Sequence, residues 1–204
     1  MGESDHQQAL AQRVDELRRQ LCGRDLKTLA ALTGTLLKDN SFHFTLLGRP
    51  LRFTLPEFRI VDAGGAELPT FLQALILYYF VTADGTPLTG KWVSFADLPG
   101  GRMYAPAFQG YTGNELVKVF GADVAAFQKV CRASGGSPLE IADVAYGFQA
   151  LPRLPLAVTY WVGDEEFPST SKILFDSSAC HYLPIDACAI LGSLLTRTLQ
   201  KHRE

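Results

Sequence analysis

Residues 41–55 read SFHFTLLGRPLRFTL, and this stretch decides the fold class. Phe42, Phe44 and Leu46 alternate with His43 and Thr45; beyond Gly48-Arg49-Pro50, Leu51, Phe53 and Leu55 alternate again. Successive side chains on a strand point to opposite faces, so a period of two gathers the apolar set on one side of a sheet. Two such runs around a Gly-Arg-Pro turn predict an antiparallel hairpin with one buried face. Towards the C-terminus, Phe58 to Val61 offers another short strand. Towards the N-terminus the period changes. Leu10, Val14, Leu17 and Leu21 form a helical stripe that stops at Gly23, and Asp25 can cap a second helix running through Leu37.

Further along, Pro69 opens a helix from Leu68 to Phe80 whose apolar residues predict near-complete burial. Lys91 to Phe95 reads as a strand, halted by Leu98-Pro99-Gly100-Gly101. Helices are expected over Ala105–Val119 and Asp123–Ala133, then strands over Val144–Phe148, Leu156–Val162 and Lys172–Phe175. A last helix, from Pro184 to Lys201, shows Ile185, Cys188, Leu191, Leu195 and Leu199 on one face. Helices and strands come in blocks rather than in alternation, so the expected class is α+β. The expected layout is an amphipathic N-terminal helical extension over residues 1–24 and a single domain over 25–204. Its sheet, mainly antiparallel or mixed, would join the hairpin 42–55 to strands 156–162 and 172–175, covered by helix 68–80 and the C-terminal helix.

The chain has 204 residues, 47% hydrophobic and 20% charged, enough to build a core without disulfide or metal staples. Nineteen basic against 21 acidic residues leave a net charge of −2, so no basic surplus exists for binding nucleic acid. The longest apolar run, Phe71 to Val81, contains Gln73 and has about half the residues a bilayer span needs, so no membrane partner is expected. The N-terminus, MGESDHQQALAQRVDELRRQ, has neither a basic leader nor an apolar segment, and a cytoplasmic location is expected. Cys22, Cys131, Cys180 and Cys188 include no C-x-x-C pair and are expected as reduced thiols. Composition leaves the oligomeric state open.

Several blocks occur in a distinctive order. Residues 91–101 read KWVSFADLPGG; residues 163–168 read GDEEFP and lead into Ile173-Leu174-Phe175-Asp176. With Asp143, Pro152-Arg153-Leu154-Pro155 and Tyr182-Leu183-Pro184, these blocks resemble the LPG and LFD motifs of an uncharacterised prokaryotic domain-of-unknown-function family numbered 3786. The likeness runs from about Ala30 to the C-terminus. It implies no assigned activity. It does imply an origin among anaerobic bacteria and archaea, where some members carry a cysteine-rich segment that looks like an iron–sulfur binder. This chain shows no such segment. An acidic pair often follows the Tyr-Leu-Pro block in that family; Ile185-Asp186 keeps only the second.

The foremost chemical candidate is the acidic block Asp164, Glu165 and Glu166, directly after the aromatic strand end Tyr160-Trp161. With Asp143 or Asp176 it could supply the several oxygens that a hard cation needs, or divide acid and base roles. The competing reading makes Asp164 and Asp176 turn caps. Arg153, between two prolines, could grip an anionic ligand or pair with Asp164 or Glu166, and the ion pair is the expectation. Trp92, Tyr104 and Trp161 could line a pocket for a planar ligand or belong to the core. Cys180-His181, read as strand residues, would point to opposite faces and share no chemistry. No nucleophile triad or phosphate loop is present, no metal ligands are assigned, and the cofactor is unassigned. The resulting expectation is a small-molecule or cofactor-binding module of anaerobic metabolism, with a tetrapyrrole, corrinoid or iron–sulfur connection by analogy. The alternatives are a non-catalytic adaptor that docks a protein partner through its N-terminal helix, and a metal-assisted enzyme using the acidic block.

Overall fold

The hairpin forms where the alternation requires it. In the computed structural model, which describes residues 3–203, β2 (Ser41–Leu46) pairs antiparallel with β3 (Arg49–Thr54), Phe42 opposite Phe53 and Phe44 opposite Leu51. The connection is the two-residue turn Leu47-Gly48 rather than Gly48-Arg49-Pro50. Both turn residues have positive φ, 48° and 77°, the twist that a tight hairpin turn needs. Pro50 is tolerated in β3 because pairing with β4 (Arg59–Asp62) begins only at Leu51.

Upstream, α1 (Glu3–Leu21) leads to α2 (Leu26–Thr33), whose N-cap Asp25 accepts from the Thr28 N–H at 2.8 Å. The expected continuation of α2 through Leu37 does not occur. Gly34 takes the left-handed conformation, φ 66°, and returns its N–H to the Ala30 carbonyl, while Leu36–Lys38 become β1, paired with β2. A Cβ on Gly34 would also lie 3.0 Å from Nε of Arg153, so a residue distant in sequence helps to end this helix. 

The remaining elements are α3 (Thr70–Thr82), β5 (Trp92–Ser94), α4 (Ala105–Tyr111), α5 (Gly113–Phe120), α6 (Val124–Ala133), β6 (Ser137–Pro138), β7 (Val144–Leu151), β8 (Leu154–Trp161), β9 (Thr170–Asp176) and α7 (Ile185–Lys201). The class is α+β, as expected. The single helix expected over 105–119 breaks at Thr112. There Gly113 presses on β9 so closely that a Cβ would fall 2.0 Å from the Ser171 carbonyl oxygen.

The expected common sheet is replaced by two. One has the order β1-β2-β3-β4 and the other β5-β9-β8-β7-β6, with every pairing antiparallel. Strand β8 is paired on both sides, by β7 and β9, and β5 covers the outer edge of β9 while β6 covers β7 at Tyr146 and Gly147, so the hairpin does not join β8 or β9 as expected. The sheets meet instead at the hairpin tip, where the Leu47 N–H donates to the Ala150 carbonyl at 2.9 Å.

Helix α3 covers the first sheet. The Phe80 ring lies 4.9 Å from both Phe42 and Phe53 and 5.7 Å from Phe44. Helix α1 packs on α3 from another side and buries Val14, Leu17 and Leu21. Enclosure from several sides explains why α3 is apolar nearly all round. The α1 stripe is thereby used within the chain and is not an open docking face. Tyr79 joins three segments: its hydroxyl donates to the Thr33 carbonyl at 2.6 Å and accepts from the Arg153 N–H at 2.9 Å, and its ring stacks on Tyr182. Among the described residues no helix is long and apolar enough to cross a membrane.

Candidate functional site

The candidate residues read from the sequence divide between two ends of the second sheet. At one end stand Asp143, Trp161 and the acidic block. Asp143 accepts from the Val162 N–H at 3.1 Å, tying the start of β7 to the end of β8. Asp164 accepts from the Glu166 and Phe167 N–H groups at 2.9 and 2.8 Å, which holds its carboxyl below the usual value. That is a turn cap. Glu165 and Glu166 are exposed beside it. Trp161 is half-buried under the Lys172 ammonium, 5.9 Å from the ring centre, while its neighbour Tyr160 is fully buried.

The other end holds Arg153, Trp92 and Asp176. The expected bridge from Arg153 to Asp164 or Glu166 is absent, for a simple geometric reason. Arg153 precedes the eight-residue strand β8 and Asp164 follows it, a separation of about 26 Å at ~3.3 Å per residue. Arg153 instead lays its side chain across Gly34. Trp92 is half-buried on β5, opposite Asp176. Asp176 is buried and saturated: Oδ1 accepts from N and Oγ1 of Thr89 and from N and Oγ of Ser178, and Oδ2 accepts from the Gly90 N–H at 2.7 Å. Burial alone would push this carboxyl up, but the donors outweigh it and leave it below its ordinary value. Among the described residues no three His, Cys, Asp or Glu side chains are grouped to hold a metal ion.

Tyr104 belongs to neither end. It stands at the start of α4, on the wall of a groove of about 880 Å³ formed by α4, α7, the first turn of α3 and the beginning of α5. Beneath it, Phe95 stacks on Phe108 with ring centres 4.2 Å apart, and Phe108 meets Tyr111 edge-on. Phe71, Tyr104, Tyr111 and Ile190 present exposed apolar surface to the groove, Tyr104 being 55% exposed. Two charges on α7 mark its length. Asp186 and Arg197 are eleven positions apart, three turns, which sets them on one face about 16 Å from each other. Neither makes an ion pair among the described residues, whereas the third charge, Glu115, is held by Lys118 at 2.5 Å. Burial, then the nearby Asp186 carboxylate, raises the Tyr111 hydroxyl above its ordinary value.

A family model described as "Domain of unknown function (DUF3786)" matches residues 25–198. The chain belongs to that family. No curated protein and no solved structure matches it. The DUF3786 match opens at Asp25, the cap of α2, and takes in Tyr104, Tyr111, Asp186 and Arg197, hence both walls of the groove. Blocks that carried the resemblance turn out to fasten the scaffold. In the LPG block, Ser94 and Asp97 close a capping box, with Ser94 Oγ donating to Asp97 Oδ2 at 2.6 Å. In the LFD block, Asp176 is the saturated carboxylate. Among the aromatics that the sequence offers for a planar-ligand pocket, Tyr104 and Phe95 line this groove. The available signal for the rest was the spacing of Asp186 and Arg197 on a strongly amphipathic helix.

Proposed function

We propose that this DUF3786 chain is a ligand-binding module, and that its ligand lies along the groove between α4 and α7. One observation carries the reading: an aromatic-lined groove of about 880 Å³ presents four large apolar side chains to solvent on a single face. Contiguous apolar surface of this kind marks binding sites, and ligand clefts span roughly 300–1,000 Å³. The ligand that suits it is flat or elongated, apolar in its body, and carries an anionic group to meet Arg197. A tetrapyrrole or corrinoid has those properties: an extended ring system with acidic or amide groups at its rim. The anaerobic distribution implied by the family resemblance supports the same class, and a cytoplasmic site of action accords with it.

The test is an absorbance titration of the purified protein with haemin and, separately, with cobalamin. Wild type should shift the spectrum of at least one. Ile190→Asp, which puts a charge in the groove, should abolish the shift. Arg197→Ala should weaken it about tenfold or more, the size of a charged hydrogen bond worth ~1.5–3 kcal/mol. Unchanged spectra for both chromophores with wild type would overturn the tetrapyrrole assignment. If an apolar fluorescent dye also failed to bind in a manner sensitive to Ile190→Asp, the groove itself would be excluded as a site.

A further inference from the structure

Helix α7 spends one face on the core and leaves another open. Cys188, Leu191, Leu195 and Leu199 are buried. On the opposite side Asp186, Ile190, Ser193 and Arg197 follow one another at intervals of four, three and four residues. At 3.6 residues per turn these four fall within an arc of about 60°, so they form one narrow stripe along the α7 wall of the groove. Asp186 and Arg197, at its two ends, are exposed, and neither has an ion pair or hydrogen bond among the described residues. Ile190 is exposed as well, and Ser193 is half-buried.

The stripe is symmetric about its middle. Counted from the midpoint between Leu191 and Gly192, Ile190 and Ser193 stand equally far out, and so do Asp186 and Arg197. Suppose a second α7 is laid antiparallel on this stripe, with a two-fold axis at that midpoint. Residue i of one copy then meets residue j of the other, and j meets i. Asp186 faces the partner's Arg197, and Arg197 faces the partner's Asp186. Ile190 fills the space beside the partner's Ser193, a large side chain next to a small one, and the contact repeats across the axis. The charges sit about 8 Å from the axis along the helix; at the shallow crossing of ~20° common for paired helices, the two helix axes diverge there by only about 3 Å. An Arg side chain spans that offset. A parallel pairing would instead set like charges together at both ends.

We propose that two copies of this chain associate about a two-fold axis through α7, each α7 lying along the groove of the other copy. The second wall of the groove suits the same occupant. Tyr104 and Tyr111 expose ring surface to it from α4, which gives the incoming helix an aromatic flank. The contact so formed is a cluster of four helices, α4 and α7 from each copy. This inference rests, as the ligand-binding reading does, on the groove being a recognition surface, and it concerns the chain without ligand. A small anionic ligand and a second copy both need Arg197, so the two occupants exclude each other.

The experiment is analytical ultracentrifugation of the full, ligand-free chain. Wild type should sediment as a dimer. Asp186→Arg makes both ends of the stripe basic, and Arg197→Glu makes both ends acidic. In either homodimer like charges would meet twice, so each substitution should raise the dimer dissociation constant by about a hundredfold or more. Mixed in equal amounts, the basic and the acidic variants should form a heterodimer, because every end again faces its opposite. Both substitutions in one chain reverse the stripe and should restore the homodimer. Recovery on mixing also separates lost pairing from lost folding, since two misfolded variants would not rescue each other. Wild type that stays monomeric up to about 100 μM would overturn the proposal. So would a dimer indifferent to both substitutions, or variants with native circular dichroism that fail to associate on mixing. Assemblies larger than two would overturn it as well, because a two-fold contact closes at the dimer. A dimer that shifts neither haemin nor cobalamin would sink only the ligand reading, and a monomer that shifts one of them would sink only the dimer.

Discussion

Replacing Asp176 by Asn separates scaffold from site. The carboxylate is buried and takes five hydrogen bonds, four on Oδ1 and one on Oδ2. An Asn side chain can keep its oxygen among the four donors from Thr89 and Ser178. Its NH₂ then faces the Gly90 N–H, so the 2.7 Å bond is lost and a buried donor is left opposite a donor. A hydrogen bond to a charged group is worth ~1.5–3 kcal/mol, and the other four weaken as the charge disappears. The expected loss is about 3 kcal/mol, which for a chain of this size lowers the thermal midpoint by roughly 6–12 °C. Urea denaturation followed by circular dichroism gives the same difference as a shift in midpoint. The sign with pH follows from the lowered carboxyl. Its contribution is complete above the ordinary value of 3.8 and is lost as pH falls through the lower native value, so the gap between wild type and Asp176→Asn should close in acid. Asp164→Asn is the control: an exposed cap with two backbone donors should move the midpoint far less. If Asp176→Asn cost no more than Asp164→Asn, the claim that Asp176 anchors the turn before Cys180 would be refuted.

Three other outcomes are expected. Tyr79→Phe removes a hydroxyl that serves Thr33 and Arg153 at once, and two stranded backbone groups should lower stability by about 2–4 kcal/mol, measured by urea denaturation; an unchanged midpoint would mean that water replaces the hydroxyl. Tyr160→Ala should cost about 3–5 kcal/mol because the ring is fully buried, whereas Trp161→Ala, half-buried beneath Lys172, should cost clearly less; the reverse order in thermal melts would contradict the assigned face of β8. Hydrogen bonds from His181 and then Thr86 hold the Asp84 carboxyl at about 2, so its stabilising effect is complete above 3.8 and disappears as pH falls through about 2. The pair is half exposed, which limits the effect to about 1 kcal/mol or less, read as the difference between wild type and Asp84→Asn over that interval.

The amino-acid sequence by itself determined what depends on neighbours along the chain. Period-two alternation placed the hairpin around residues 41–55, the apolar run placed α3, and Asp25 placed the start of α2. The blocked order of elements set the α+β class, and the turn chemistry of aspartate offered a cap as one of two readings of Asp164. Tertiary structure decided whatever depends on which distant surfaces meet. Two sheets form in place of one: β8 and β9 find their partners in β7 and β5, and the hairpin touches the second sheet only through Leu47 and Ala150, a choice of strand partners that belongs to the assembled sheet. Helix α2 ends at Gly34 with the Arg153 side chain laid across it, from more than a hundred residues away. The groove has the same origin: Asp186 and Arg197 share a face by helical spacing alone, but they bound a cleft only once α4 sets Tyr104 and Tyr111 beside α7. Cys180 and His181, read as strand residues from the sequence, lie instead on a 3-10 turn, Ala179–His181, after β9, where successive side chains diverge by about 120°.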